Sequence, residues 1–240
     1  MKNMSLRERA GLSGIASLLL CTAVLTSVAG AQVGHQPSKS PYQDVKVGQE
    51  MSLFVGYFDS DIGAAGVLPK ASMFGGFRYD LPVGGPGSLT ARYSFMPSER
   101  EVVDPAKPRR TRSLGAETSR IHVVDVGLSV ALTGRKTWHG LVPSIGLGTG
   151  LATNFADADT GRYNFGTKFT FTGGANLKYV LRNNWAVRVD ATNYLWRNSY
   201  PDSYYVVSSD TTAVLRGDVE KKSWKGTWGF SIGLAIPVFR

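Results

Sequence analysis

The sequence predicts an all-β fold, an eight-stranded antiparallel up-and-down barrel. Three observations predict it. Segment after segment alternates apolar residues with polar or small ones at a period of two, as a strand with two unlike faces does. The connections between these segments alternate between short turns and long polar loops. Beyond residue 30 no apolar run approaches the roughly 20 residues that a membrane helix needs. With 240 residues, 42% hydrophobic and 19% charged, the chain suits one large domain and not a disordered polymer.

The N-terminus reads as an address. Lys2, Arg7 and Arg9 precede an apolar run from Gly14 to Val28, and Ala29-Gly30-Ala31 supplies the small-x-small pattern of a cleavage site. Residues 1–31 are therefore expected to be a cleaved signal peptide. Cys21 follows Leu18-Leu19-Leu20, whereas a lipidated cysteine needs a small residue before it. It is the single cysteine, so a disulfide framework within the chain is excluded. Residues 32–47 are polar, with Pro37 and Pro41, and read as a flexible lead-in to a barrel domain over 48–240.

Eight segments alternate. Met51 to Phe58 is the least clear, because both faces are partly apolar. Ala71 to Asp80 and Leu89 to Met96 are short but regular. In His122 to Leu132, Val124, Val126, Leu128, Val130 and Leu132 oppose Asp125, Gly127, Ser129 and Ala131. Leu141 to Phe155 sets Leu141, Ile145, Leu147 and Leu151 against Ser144 and three glycines. Phe165 to Leu181 holds its register longest, with Phe165, Phe169, Phe171, Leu177, Tyr179 and Leu181 on one face. Trp185 to Leu195 and Trp224 to Val238 complete the set. The short turns are 81–87, 134–140 and 182–184; the long loops are 59–70, 97–119, 156–164 and 196–223. An even strand number with this alternation puts both termini on the short-turn side.

Face composition decides what surrounds the barrel. A soluble barrel would carry many Lys and Glu on its polar face. Here that face is mostly Gly, Ser, Thr and Asn with isolated charges. Small residues suit the interior of an eight-stranded barrel, which is only wide enough for side chains. The bulky apolar face is then expected to meet lipid, making this a transmembrane barrel. Trp138, Tyr179 and Trp185 at one end, and Phe155, Trp196 and Trp224 at the other, are candidate interface girdles.

The strand pair Phe169–Leu181 and Asn184–Leu195, and the ending Trp228–Phe239, resemble the small outer-membrane β-barrel family of Gram-negative bacteria: the outer-membrane protein A transmembrane domain, its X-type relatives and the opacity proteins. The resemblance covers most of the chain after residue 31. It implies a cell outer membrane location, a periplasmic lead-in, insertion by the barrel-insertion machinery, and outer-membrane lipid and lipopolysaccharide as surroundings. Family members usually end on an aromatic residue; here Phe239 is followed by Arg240.

The chemistry-bearing residues point away from catalysis. The net charge of +9 is scattered, and the richest run lies beside Glu99, Glu101 and Asp104, so no nucleic-acid partner is expected. Relatives that deacylate lipid A pair a serine with a histidine. His122 is followed by two valines and falls on the lipid-facing side, while His35 and His139 lie in the lead-in and a turn. Asp157-Ala-Asp159-Thr-Gly161 lacks the further acidic ligands of a calcium loop. Arg216-Gly217-Asp218 spells an adhesion tripeptide in a long loop. No cofactor or metal is expected.

Two charge sets remain. Arg78, Arg92, Lys168, Lys178, Arg188 and Lys225, with Asp80, Asp125 and Asp190, face the lumen, where an isolated charge is costly and should pair. Counting from the turn at Asn183 sets Lys178 opposite Arg188 and Asn176 opposite Asp190, the nearest anion. Asp80 sits at a turn by the same count. Lys107, Arg109, Arg110 and Arg112, in a mobile extracellular loop, could meet lipopolysaccharide phosphates. The leading expectation is a non-enzymatic structural or surface-interaction barrel with a plugged lumen. A narrow channel or hydrophobic-solute transporter is the alternative, and a lipid A-modifying enzyme the third.

Overall fold

In a computed structural model, residues 40–45 and 48–239 are described. The signal-peptide assignment, most of the lead-in and Arg240 lie outside the described residues, as does the side chain of Phe239.

Among the described residues ten strands form: β1 (Tyr42–Asp44), β2 (Gln49–Asp59), β3 (Ser72–Gly84), β4 (Gly87–Val103), β5 (Ser113–Ala131), β6 (Lys136–Trp138), β7 (Leu141–Thr153), β8 (Thr167–Val180), β9 (Ala186–Ser199) and β10 (Lys222–Phe239). Eight of them close a ring of antiparallel pairs, β2-β3-β4-β5-β7-β8-β9-β10, and β10 returns to β2 from Trp228↔Asp59 to Phe239↔Gln49. Closure leaves no unpaired edge, as a bilayer interior requires. No helix among the described residues is long and apolar enough to cross a membrane. The two extra strands are short. β1 pairs with β6 at the short-turn end, Tyr42↔Trp138 to Asp44↔Lys136, so part of the expected flexible lead-in is held as strand.

Period two sorts the side chains as the composition argued. Leu53, Val124, Val126, Leu147, Val189 and Ile232 are exposed on the outside. Ser52, Ser94, Asp125, Ser144, Thr172 and Thr192 are buried in the lumen. The glycines on the lumen face of β7 make room for larger neighbours. A Cβ on Gly150 would lie 2.0 Å from the Val124 carbonyl oxygen. At the β8–β9 turn Asn183 and Asn184 take φ of 61° and 62°, a left-handed conformation that asparagine tolerates.

Three expectations need correction. Phe165 is buried, not lipid-facing: β8 starts at Thr167, and Gly166 at φ 61° breaks the alternation and turns Phe165 inward. Trp196 is not a girdle residue, because β9 continues to Ser199 and keeps Trp196 on the same inner face as Tyr194. The loop expected at 97–119 is mostly strand: β4 and β5 stay paired from Pro97↔Arg120 to Val103↔Ser113. The other girdle candidates, Trp138, Phe155, Tyr179, Trp185 and Trp224, are exposed.

Candidate functional site

The lumen is filled in layers, and the strand registers set them. Nearest the short turns is an ion layer. Arg78 of β3 and Arg188 of β9 each reach both Asp80 and Asp190, at 2.7 and 3.5 Å for Arg78 and 2.9 and 2.9 Å for Arg188. All four residues are buried. Two guanidinium forks against two carboxylates form a closed, neutral square, the bidentate geometry that arginine favours. Beside it Lys178 meets Glu50 at 2.9 Å. One step towards the loops, Arg92 donates to Asp125 at 3.0 and 3.1 Å and to the Thr192 hydroxyl at 2.9 Å, and its guanidinium lies 5.2 Å from the Tyr194 ring centre. Thr172 adds a 3.3 Å bond to Asp125.

Registers match the sequence count: Lys178 pairs with Arg188 and Asn176 with Asp190. The charge tally differs. Asp80 is no turn residue but a corner of the square inside β3. Glu50, concealed in the ambiguous first segment, neutralises Lys178. Lys225 sits near the loop end and pairs with Asp61 at 2.7 Å. Lys168 stands apart from the ion layer. Its ammonium donates to the Asn198 side-chain oxygen at 2.5 Å and lies 4.2 Å from the centre of the Phe165 ring.

Above the ions lies an apolar layer that the sequence count missed: Phe54, Phe58, Phe74, Met96, Val123, Phe165 and Trp196 pack as one buried cluster. Phe165 meets Trp196 edge-on, their ring centres 5.7 Å apart. The signal was present in Met51–Phe58, whose second apolar face is Phe54 and Phe58 looking inward.

The loops close the upper mouth. Val67, Leu68, Val103, Tyr163, Tyr200, Tyr204 and Leu215 form a second buried cluster fed by all four long connections. Arg100 ties it together, meeting Asp159 at 2.5 Å and Glu117 at 3.0 Å. Asp159 also accepts the Tyr163 amide at 2.9 Å, so this carboxylate works inside the loop. Burial raises the Tyr163 phenol well above its ordinary range, holding it protonated.

Within the basic cluster, Arg112 is buried and donates to the Ala213 and Thr212 carbonyls at 2.9 Å. Lys107, Arg109 and Arg110 remain exposed. The Arg109 amide donates to Asp210 at 2.7 Å. Arg216, Gly217 and Asp218 occupy an exposed turn closed by the Val219 amide on the Arg216 carbonyl at 3.1 Å. His122 lies on the outer face, its Nδ1 2.8 Å from the Tyr93 hydroxyl.

A closed ring of strands, with aliphatic side chains outside and ions inside, inverts the pattern of a water-soluble protein. The chain is an outer-membrane β-barrel.

No family model matches the sequence of this outer-membrane barrel, and no curated protein matches it. Solved structures with a similar fold include the outer membrane protein OprG from Pseudomonas aeruginosa, at 12% identity and a TM-score of 0.48, covering 82% of this chain and 99% of that one. The Yersinia pestis outer membrane protein Ail, in a phospholipid bilayer nanodisc, is 16% identical with a TM-score of 0.36, covering 79% and 100%. The outer membrane enzyme PagL is 16% identical with a TM-score of 0.35, covering 79% and 99%. Likeness at this level carries no argument about activity.

Proposed function

We propose that this outer-membrane barrel is a non-enzymatic structural and surface-interaction protein rather than a pore. The observation that carries the proposal is the filled lumen. The ion layer, the aromatic layer and the loop cluster follow one another along the barrel. An ion would have to displace a paired, buried arginine and then cross an apolar layer, where an unpaired charge is strongly disfavoured. The working surface is then the loop head. Lys107, Arg109 and Arg110 give it an exposed cationic edge suited to lipopolysaccharide phosphates.

Planar bilayers and lipid analysis test this reading. The reconstituted protein should show no large stable conductance, and its expression should leave the lipid A mass spectrum unchanged. Stable conductance would overturn the closed lumen, and a new lipid A species would overturn the non-enzymatic assignment. Replacing Lys107, Arg109 and Arg110 together with alanine should weaken binding to lipopolysaccharide in a salt-dependent way. Unchanged binding would remove that partner.

A further inference from the structure

We infer that the short-turn mouth of the barrel holds a binding site for a small oxyanion of the phosphate class, a role beyond the structural one proposed above. A cavity of about 80 Å³ lies beneath the ion layer, bounded by the turn residues Gly85, Pro86, Gly134 and Arg135 and by Val45. A single water needs only about 10–15 Å³ on this measure, so the space suits a group several times larger.

Its lining is assembled for an anion. Arg78 and Arg188, both more than nine-tenths buried, line it from the square above, with Asp80 and Glu50 also on the wall. Lys178 does the same from β8. These three are balanced by Glu50, Asp80 and Asp190, so the excess comes from the rim. There Arg135 and Lys136 line the cavity and form no ion pair with any described residue. Asp44 stands opposite Lys136 in the β1–β6 register without an ion pair to it. Between rim and floor are neutral donors. Ser129 and Ser144 are buried on the cavity wall, Asn176 lies beside them, and none of the three side chains hydrogen-bonds to another described residue.

Buried polar groups are ordinarily partnered. Hydroxyl and amide groups that bond no described side chain, on the wall of a cavity whose two entrance cations pair with no described residue, suit a tetrahedral oxyanion. The two rim charges favour a dianionic monoester or free phosphate over a singly charged phosphodiester such as a lipid headgroup.

Titration calorimetry on the folded full-length protein in zwitterionic micelles tests this, with inorganic phosphate as probe in 150 mM chloride. One saturable site is expected. Arg135→Ala with Lys136→Ala should weaken it at least tenfold, and Ser129→Ala with Ser144→Ala several-fold. Asp44→Asn should tighten it, because the carboxylate opposite Lys136 in the β1–β6 register is gone. Arg216→Ala, in the loop head, should leave it unchanged. Glycerol 3-phosphate should compete with phosphate, whereas a soluble phosphodiester should compete poorly. If the diester competes better, the site serves lipid headgroups and the free-oxyanion assignment falls. Non-saturable heat, or equal weakening by Arg216→Ala and the rim variants, would overturn the site altogether. Gel mobility with and without boiling confirms that each variant is folded.

Discussion

Arg188 and Asp80, 108 residues apart in the chain, meet at 2.9 Å inside the barrel, and neither has the other to itself. Arg188 also holds Asp190 through its Nε, and Asp80 also holds Arg78. The contact closes a loop of four charges, so removing any corner leaves two like charges sharing a single counterion.

Asp190→Ala should therefore destabilise the barrel by about 3–5 kcal/mol, the usual cost of stranding a buried charge. Asp157→Ala, in an exposed loop, should change stability little. Urea titration of the refolded protein in vesicles, followed by the loss of unboiled gel mobility, measures both. Equal effects would show that the square contributes nothing.

Val189 and Leu177 are paired neighbours exposed on the outer face of β9 and β8. Arginine at either position should cost about 2–4 kcal/mol in a bilayer. Thr172→Arg faces the lumen and should depend on steric room beside Asp125 instead. A harmless Val189→Arg in vesicles would invert the assignment of faces.

The apolar layer should behave as a packed core. Trp196 is 2% exposed and touches Phe58, Phe165 and Tyr194. Trp196→Ala should cost about 3–5 kcal/mol, the range for large aromatics in a core. Current through planar bilayers should also rise from baseline, because the layer separating the charges from the upper lumen is breached. Intact stability and an unchanged baseline would mean that Trp196 is dispensable.

The clasp between two loops should be acid-sensitive at its carboxylate. Hydrogen bonds from the Ser208 hydroxyl, the Arg109 amide and Thr212 hold the Asp210 carboxyl well below the usual carboxylate range. A depressed folded value means the clasp is fully formed above the unfolded value near pH 3.9 and is lost as pH falls further, through the folded value. The Arg109 amide resonance should be constant from pH 7 to about pH 4.5 and move only in stronger acid. Asp210→Asn should abolish that movement. Movement centred near neutral pH would contradict the assignment.

The fold was legible because period two acts on every residue of a barrel wall. Face composition then separated lipid from lumen without any knowledge of pairing. The interior was less legible because partners across a lumen have no fixed sequence spacing. Lys178 opposite Arg188 follows from a turn count, but Glu50 opposite Lys178 lies 128 residues away and needs ring closure. Trp196 was missed where a strand outran its apolar pattern, and Phe165 where a single glycine reversed the parity. The loop cluster left no periodic trace, since its members come from four connections that meet only once the barrel has closed.

The long β4–β5 hairpin also sets a height. Outward side chains change from Tyr93 and Phe95 to Glu99 and Glu101 on β4, and from Val124 to Arg120 and Thr118 on β5, so lipid contact ends near the level of Phe95 and His122. The ladder continues from Pro97 to Val103, which at about 3.4 Å per residue adds roughly 20 Å of rigid mast along the strand direction. The tip is guyed to a neighbouring connection by Arg112 and Asp210. Whatever the tip touches is thus met at a fixed stand-off from the bilayer. Shortening the hairpin by whole residue pairs would lower that reach without touching the wall below.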